Sequence, residues 1–227
     1  MKNRFQLHKD ARIDFETILP GHHFFGYHDI SPWSEGDNSL LVHETDFIDR
    51  PPNPKPEDVA RICIVDKKKE NPLFVVGESR LWNFHQGARL QWLPTHPNKI
   101  IYTDWKEDLG GYWHFVSVIF DKENKEEKIL KHPIYAVSPD GRFGLGLDLT
   151  RLAEYGSYGA QFPSERIFGE DSVSVEVDPN NVGIMKVSFE TGDGRSLFSP
   201  SKMARFEHSP KLGEIHNSGM PVPPGFV

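Results

Sequence analysis

A turn followed by a short apolar strand recurs three times in the sequence, and this repeat is the feature that most constrains the fold. The turns are Pro32–Gly36, Leu93–Pro97 and Ser138–Gly141. They recur about every 45 to 60 residues, the size of a four-stranded propeller blade with loop insertions. In the third turn, Pro139 fixes one corner and Gly141 is free to adopt a positive φ at another. The repeat therefore predicts stacked units that cannot bury their apolar faces alone.

Short segments rich in β-branched and aromatic residues run through the chain between Gly, Pro, Asn or Lys clusters. In order they are SLLVHE, VARICIVD, PLFVVGES, ARLQWLP, NKIIYTDW, YWHFVSVIFD, EEKILKH, IYAVSP, RFGLGLDL, GIMKVSFE and RSLFSP. Helical periodicity is confined to Ser201–Phe206 and the region of Arg151–Tyr155. We therefore predict an all-β fold, a partial β-propeller of about three four-stranded blades in a single domain over residues 1–227. The approximate blades are 21–80, 81–133 and 134–200, with the start of a further blade at 201–227.

The last residues, Pro223–Val227, resemble the same turn with a strand beginning after it. Three blades do not close a ring, because propellers typically have about four to eight. Two explanations stay open. The sequence is part of a longer protein, which we favour, or copies of the chain associate through open blade edges.

Composition argues against several classes of partner. The net charge is −7 and the pI is about 5.9, whereas nucleic-acid binding needs a clustered basic face. The basic run Lys67–Lys69 lies between Asp66 and Glu70 and is predicted to be a solvated hairpin tip. No apolar run is long enough to cross a bilayer, and the N-terminal residues lack the apolar region of a secretory signal. We therefore expect no nucleic-acid or membrane partner and a cytoplasmic location.

Two features that resemble catalytic motifs are interpreted as structural. Cys63 is the single cysteine and lies in the alternating segment VARICIVD, which predicts a buried strand residue rather than a nucleophile. The glycines Gly141, Gly144 and Gly146 come after a turn and on a strand, not before a helix. Their position argues against a phosphate-binding loop and nucleotide binding.

The stretch Gly21–Glu44 contains four histidines among aromatic and acidic residues. Such a density of polar rings beside a strand is poor material for a core, so we expect a functional site here. His43 and His23 are the candidate bases or metal ligands, since His43 ends a strand beside Glu44 and Asp46, which can orient it or share a divalent metal. The histidine spacing matches no known metal motif, so ordinary loop histidines are the open alternative.

A second group of candidates is expected to bind substrate. The pair His85 and Gln86 follows Trp82 and is suited to hydrogen-bonding a sugar hydroxyl or ligating a metal. Arg89 and Gln91 alternate with apolar residues, which predicts that they share one strand face. In a propeller the inner strands line a channel, where such a face suits anionic or sugar ligands. For both pairs, contacts that bridge neighbouring blades are the alternative.

Several motifs together carry a resemblance to a known family. They are Gly26-Tyr27-His28-Asp29 with Ser31-Pro32-Trp33, Val42-His43-Glu44, Trp82-Asn83-Phe84-His85-Gln86-Gly87, Ser138 to Gly141, and Arg151-Leu152 followed by Tyr158-Gly159. The sequence resembles the TolB-like propeller superfamily, and more closely a group of bacterial propeller proteins of poorly defined activity. The resemblance covers residues 21–200. His28 and His85 differ from the residues that are common at those positions in the group.

This group is similar, at the level of the fold, to oligogalacturonate lyase and the ulvan lyases. The resemblance implies a protein that acts on or recognises a carbohydrate, including a polysaccharide lyase that cleaves a uronate-containing glycan by β-elimination. Such a lyase needs a base for the proton α to the carboxyl group, a cation or divalent metal for the carboxylate, and an acid for the leaving oxygen. The candidates are His23, His43 and His85 as bases or ligands, Arg89 and Arg151 as cations, and Tyr27 and Tyr158 as acids.

The rival hypothesis is a non-catalytic propeller module that binds a sugar or a protein, or an inactive fragment of a longer protein. A cluster of His43, His85 and Arg89, or a bound divalent metal, favours the enzyme. Histidines on separate outer loops favour the module. The substrate, the metal and the oligomeric state are left open by the sequence.

Overall fold

The computed structural model describes residues 10, 17, 21–50, 58–69, 72–107, 113–147 and 183–199. Within these ranges the protein is all-β, and twelve strands form three antiparallel sheets of four strands each. In every sheet the neighbouring strands are consecutive in the chain, as expected for antiparallel strands joined by short connections. The prediction of an all-β fold built from four-stranded units is confirmed at this level.

The strands follow the predicted order. The first sheet contains β1 (His22–Phe24), β2 (Ser39–Thr45), β3 (Ala60–Asp66) and β4 (Leu73–Ser79). The second contains β5 (Gln91–Leu93), β6 (His96–Glu107), β7 (Trp113–Asp121) and β8 (Glu126–Leu130). The third contains β9 (Ile134–Val137), β10 (Phe143–Gly146), β11 (Ile184–Ser188) and β12 (Gly194–Phe198). Residue alternation predicts every strand except β1, because two of its three residues are histidines and it has no alternating apolar pattern.

The second sheet is packed on both faces, as β6 illustrates. Ile100 and Tyr102 join one core with Ile62 of the first sheet. Ile101 lies between them in sequence and joins a different core with Ile134 of the third sheet. Because successive side chains of a strand point to opposite faces, one strand contributes to both cores. The three sheets are therefore stacked in chain order.

A glycine permits close contact between the first two sheets. A Cβ atom at Gly77 of β4 would overlap the hydroxyl group of Tyr102 on β6. Burial in this contact raises the pKa of the Tyr102 phenol well above its usual range, with smaller contributions from nearby carboxylates. The two sheets therefore touch where the first sheet has no side chain.

The local predictions for Cys63 and for the third turn are confirmed. Cys63 is buried on β3, and desolvation raises the pKa of its thiol to about 12. In the turn, the Gly141 N–H donates to the Ser138 carbonyl oxygen (2.9 Å), and Gly141 has a φ of +66°. The Ser138 hydroxyl donates to Asp140 (2.6 Å) and, with Arg142, lowers the pKa of that carboxyl group to about 2.

Several other predictions concern chain ends and connections. The run Lys67–Lys69 is an exposed tip between β3 and β4, and Gly144 and Gly146 lie on β10, as predicted. The segments Arg151–Tyr155 and Ser201–Phe206, predicted to hold a helical turn, lie outside the described residues. No helix among the described residues is long and apolar enough to span a membrane.

Candidate functional site

The segment Asn83–Arg89, between the first and second sheets, positions most of the predicted site residues. The Asn83 side-chain oxygen accepts hydrogen bonds from the backbone N–H groups of His85 (2.9 Å) and Gln86 (2.7 Å). The N–H of Gly87 donates to the Asn83 carbonyl oxygen (2.8 Å). Asparagine is favoured in such turns because its side chain substitutes for a backbone acceptor. The Asn83 turn therefore exposes His85 while it places Gly87 and Arg89 against the interior.

His43 lies fully buried beneath this turn, with 0% of its surface exposed. Its Nε2 accepts a hydrogen bond from the Ala88 N–H (2.9 Å), and its ring stacks on Phe24 with centroids 4.9 Å apart. A Cβ atom at Gly87 would overlap the imidazole ring, so only glycine fits above it. Desolvation lowers the pKa of His43 to about 4, against the opposing effect of the backbone at Phe24 and Phe25. His43 is therefore a neutral hydrogen-bond acceptor at pH 7.

The expectation that the stretch Gly21–Glu44 is poor material for a core is wrong at His43. A stacked phenylalanine on one side and a glycine turn on the other give a histidine an apolar environment with one polar partner. Because the His43 ring has no exposed surface, it holds the turn in place and does not face solvent. His43 can affect a site on the surface only indirectly, by holding in place the turn that carries His85 and Arg89.

Trp82 and Gln86, two of the predicted substrate-binding residues, are also buried. Trp82 is 1% exposed, and its indole N–H donates to the Asp58 carbonyl oxygen (2.9 Å). Its ring packs edge-on against Phe84 with centroids 5.1 Å apart. Gln86 is 9% exposed. In this arrangement both residues contribute to the packing around the turn.

His23 belongs to a charged network across the first sheet. It lies opposite Glu44 in the strand register, and its Nε2 is 2.7 Å from one carboxylate oxygen of Glu44. Arg61 of β3 donates to the other oxygen (2.5 Å) and to Asp46 (2.6 Å). Desolvation raises the pKa of Glu44, but the hydrogen bonds from Arg61 and His23 and their charges outweigh it and lower the pKa. His23 is thus oriented by a carboxylate, as a catalytic histidine would be.

Arg89 does not share a strand face with Gln91, and this part of the prediction is wrong. The strand β5 begins at Gln91, and Arg89 precedes it with a φ of +51°, a conformation that is uncommon outside glycine. The Arg89 guanidinium donates twice to the Tyr135 carbonyl oxygen (3.0 and 2.9 Å) and to both oxygens of Asp29 (3.4 and 3.2 Å). It also lies 3.7 Å from the centroid of the Tyr135 ring.

These contacts connect the three sheets. Asp29 follows β1, Arg89 precedes β5, and Tyr135 lies on β9. The Arg89 side chain is only 4% exposed, while that of Asp29 is 43% exposed. The bridging alternative given for Arg89 is therefore what the geometry supports.

Three rings lie together on the surface next to Asp29. The centroid of the Tyr27 ring is 4.0 Å from that of His28 and 4.9 Å from that of His85. His28 and His85 are exposed, and Tyr27 is half-buried. A phenol and two imidazoles are thus brought together. Arg151, the remaining predicted catalytic residue, lies outside the described residues, as does Tyr158.

A cavity of about 270 Å³, which Asp29 also lines, opens between the turn before β2 and the turn between β5 and β6. Its lining includes two carboxylates, two indoles, one amide and two hydroxyls, from Asp29, Glu35, Trp33, Trp92, Gln91, Ser31 and Thr95. Trp33 is 41% exposed, whereas the indole N–H of Trp92 donates to the Pro32 carbonyl oxygen (2.9 Å), which fixes the plane of that ring. No Lys or Arg side chain of the described residues lines this cavity, which we call the indole cavity.

Of this set, sequence reasoning placed only Gln91 in the substrate-binding group, while Trp33 and Trp92 were two of five tryptophans able to stack on a sugar ring. The others come from two separate turns, and their proximity depends on the packing of two sheets. One signal was available: both turns belong to the repeated motif, at Pro32–Gly36 and Leu93–Pro97. Repeated turns at the same end of adjacent sheets are expected to meet.

The described residues contain no group of three His, Cys, Asp or Glu side chains placed to hold a metal ion. Comparison of the chain with protein-family models, with curated proteins and with solved structures finds no match. The geometry of the site therefore carries the functional proposal.

Proposed function

We propose that the protein is a carbohydrate-recognising β-propeller module that binds a neutral sugar in the indole cavity. The lining of this cavity carries the proposal. Sugar rings present C–H faces that pack on indole rings and hydroxyl groups that donate to carboxylates and amides. Trp33 and Trp92 supply the rings, while Asp29, Glu35 and Gln91 supply the polar groups. The volume is close to the lower end of ordinary ligand pockets, about 300 Å³, which suits one sugar ring of a longer chain.

The propeller assignment is supported by the order of the sheets. Each sheet has four antiparallel strands in chain order, and each packs on the next through one buried core. Four-stranded sheets repeated in this way are typical of propeller blades. The connection Asn83–Arg89 and the bridge from Arg89 to Asp29 and Tyr135 link the three sheets near their first strands. The resemblance to TolB-like propellers agrees with this assignment.

The charges of the indole cavity favour a neutral sugar over a uronate. Asp29 and Glu35 line it, and like charges repel an incoming carboxylate, whereas the ammonium groups of Lys67 and Lys122 lie over the indole rings without lining the cavity. Arg89 contacts Asp29, but its guanidinium is almost fully buried and already donates to the Tyr135 carbonyl oxygen. An anionic ligand would have to separate this ion pair first.

Isothermal titration calorimetry with a panel of neutral oligosaccharides built from glucose, galactose, mannose or xylose tests the proposal. Binding by at least one oligosaccharide is expected, and Trp33→Ala should weaken it at least tenfold, or ~1.4 kcal/mol. Phe198→Ala removes another exposed aromatic ring, from the third sheet, and should leave the affinity unchanged. Failure of the whole panel to bind at millimolar concentration, or equal binding by Trp33→Ala, rules the proposal out.

A second candidate function is β-elimination on a uronate polymer, and the contact between Tyr27 and His85 favours it. In this case the His85 imidazole takes the proton α to the carboxyl group and the Tyr27 phenol protonates the leaving oxygen. Arg89 would neutralise the carboxylate only after separating from Asp29. The assay is the ultraviolet absorbance of the unsaturated product from polygalacturonate or ulvan, with and without added divalent cations. Activity that is lost in His85→Ala and kept in His96→Ala would support the lyase. No product from either polymer argues for the binding module.

A further inference from the structure

A second and larger cavity, of about 850 Å³, lies between the first and second sheets at the tips of their hairpins. The two sheets touch where Tyr102 packs on the bare backbone of Gly77. Nearer the tips, Phe74 and Val75 of β4 face the cavity instead. Its volume is within the usual range of ligand pockets, about 300 to 1,000 Å³. We call it the hairpin cleft.

The floor of the hairpin cleft is apolar. Ile64 and Phe120 belong to the core between the two sheets and are 5% and 8% exposed. Val76 packs against the same core and also lines the cleft. Val75 is 52% exposed and adds apolar surface at the edge of the cleft. A ligand with a hydrocarbon chain or ring would remove this surface from water.

A β-bulge explains why two adjacent valines both line the cleft. Ile62 of β3 pairs with Gly77, but the next residue, Cys63, pairs with Val75. Val76 is therefore an extra residue on β4. A bulge redirects a side chain that would otherwise point to the opposite face, and bulges are frequent beside binding sites.

The rim of the hairpin cleft is basic. Lys69, Lys122 and Lys125 line it together with the carboxylates of Asp66 and Glu123. Both carboxylates are engaged nearby: Asp66 accepts from a backbone N–H (3.1 Å) and is 3.9 Å from the Lys69 ammonium group, and Glu123 accepts from an asparagine side chain (2.8 Å). Within the described residues, Lys122 and Lys125 form no ion pair. Their charges are therefore available to a ligand.

We infer that the hairpin cleft binds an amphipathic carboxylate, whose apolar part packs on Phe74, Val76 and Phe120 and whose carboxylate is held by Lys122 and Lys125. An apolar floor beside two ammonium groups that have no carboxylate partner among the described residues matches this chemistry at both ends of the ligand. The site shares no lining residue with the indole cavity and has the opposite preference for charge. The inference therefore does not depend on sugar binding.

Trp92 offers a local reporter of binding. The Lys122 ammonium group lies 5.2 Å from the centroid of the Trp92 ring. A carboxylate that attracts Lys122 changes the charge next to this indole and hence its fluorescence. Trp92→Phe should lose that signal, which assigns it to this ring.

The test compares octanoate with octanol, which has the same chain length and no charge. Octanoate should give saturable binding in calorimetry and shift the backbone amide signals of Val76 and Phe120 in ¹H–¹⁵N spectra. Octanol should bind at least tenfold more weakly. The double variant Lys122→Gln/Lys125→Gln should bind octanoate at least tenfold more weakly and octanol equally.

The matched control is Lys67→Gln/Lys68→Gln, which removes two exposed charges from the adjacent tip but none from the cleft lining. This control should bind octanoate as the wild type does. Equal affinity for octanoate and octanol, equal loss in both double variants, or shifts scattered away from the cleft would each overturn the inference. The four lysines changed in the two double variants are exposed or half-buried, and thermal unfolding verifies that all the variants fold.

Discussion

The buried imidazole of His43 makes the stability of the fold depend on pH in a window that the structure defines. Its pKa is about 4 in the folded chain and 6.5 when solvated. Between these values the unfolded state binds more protons than the folded state, so the free energy of unfolding rises with pH. The stability that comes from keeping His43 neutral is fully present above pH 6.5 and is lost as the pH falls to about 4. At ~1.4 kcal/mol for each pH unit, the difference amounts to about 3 kcal/mol.

The assay is urea unfolding, followed by tryptophan fluorescence, at several pH values between about 4 and 7.5. His43→Gln provides the comparison, because a glutamine amide oxygen can accept the Ala88 N–H and does not titrate. At neutral pH the variant should be less stable by ~1–3 kcal/mol, since a flat ring no longer stacks on Phe24. On acidification from pH 6.5 to about 4, the free energy of unfolding should fall in both proteins. The fall should be smaller in the variant, by about 3 kcal/mol.

Other groups also titrate in this pH range, but their effects are present in both the wild type and His43→Gln and cancel when the two profiles are compared. The pKa of His132 is also lowered, by burial and by Lys131, but equally in both proteins. Parallel profiles for the wild type and His43→Gln between pH 4 and 6.5 would refute the claim that the His43 imidazole is held neutral by burial.

Three further predictions concern packing. Gly87→Ala puts a methyl group against a buried ring at a positive φ and should cost more than ~2 kcal/mol in chemical denaturation, whereas Gly192→Ala, also at a positive φ but with room for a Cβ, should cost ~1 kcal/mol. Cys63 should resist a thiol reagent at about pH 8 until the chain unfolds, because only the thiolate reacts; rapid native labelling would contradict its burial. Gly77→Ala should destabilise the chain, and Tyr102→Phe in the same chain should recover part of the loss; strictly additive effects would argue against their contact.

Alternation of residues was sufficient to predict the strands because most of them have one face in a core. The segment of β3, with Ile62 and Ile64 on one face and Cys63 on the other, is an example. The strand β1 was not predicted because its side chains are buried by partners far away in sequence. Phe24 stacks on His43, and His23 pairs with Glu44. A histidine in such a place looks exposed until its partners are known.

The candidate site was predicted less well, and for a similar reason. Arg89 was placed on a strand by alternation, but its positive φ turns the side chain toward Asp29, in the loop after β1, and Tyr135, on β9. The indole cavity forms where two distant turns meet, so Trp33 and Trp92 become neighbours only after the first two sheets pack. Periodicity describes a single strand and carries no information about which turns meet.

The central claim, recognition of a sugar in the indole cavity, is tested most directly by the indole N–H signals in a ¹H–¹⁵N spectrum. A neutral oligosaccharide should shift the signals of Trp33 and Trp92, which line the cavity, in a saturable way. The signals of Trp82 and Trp105, which are buried in the cores, should stay in place. Unchanged signals from Trp33 and Trp92 during a titration in which the sugar binds would contradict the account and place the binding site elsewhere on the chain.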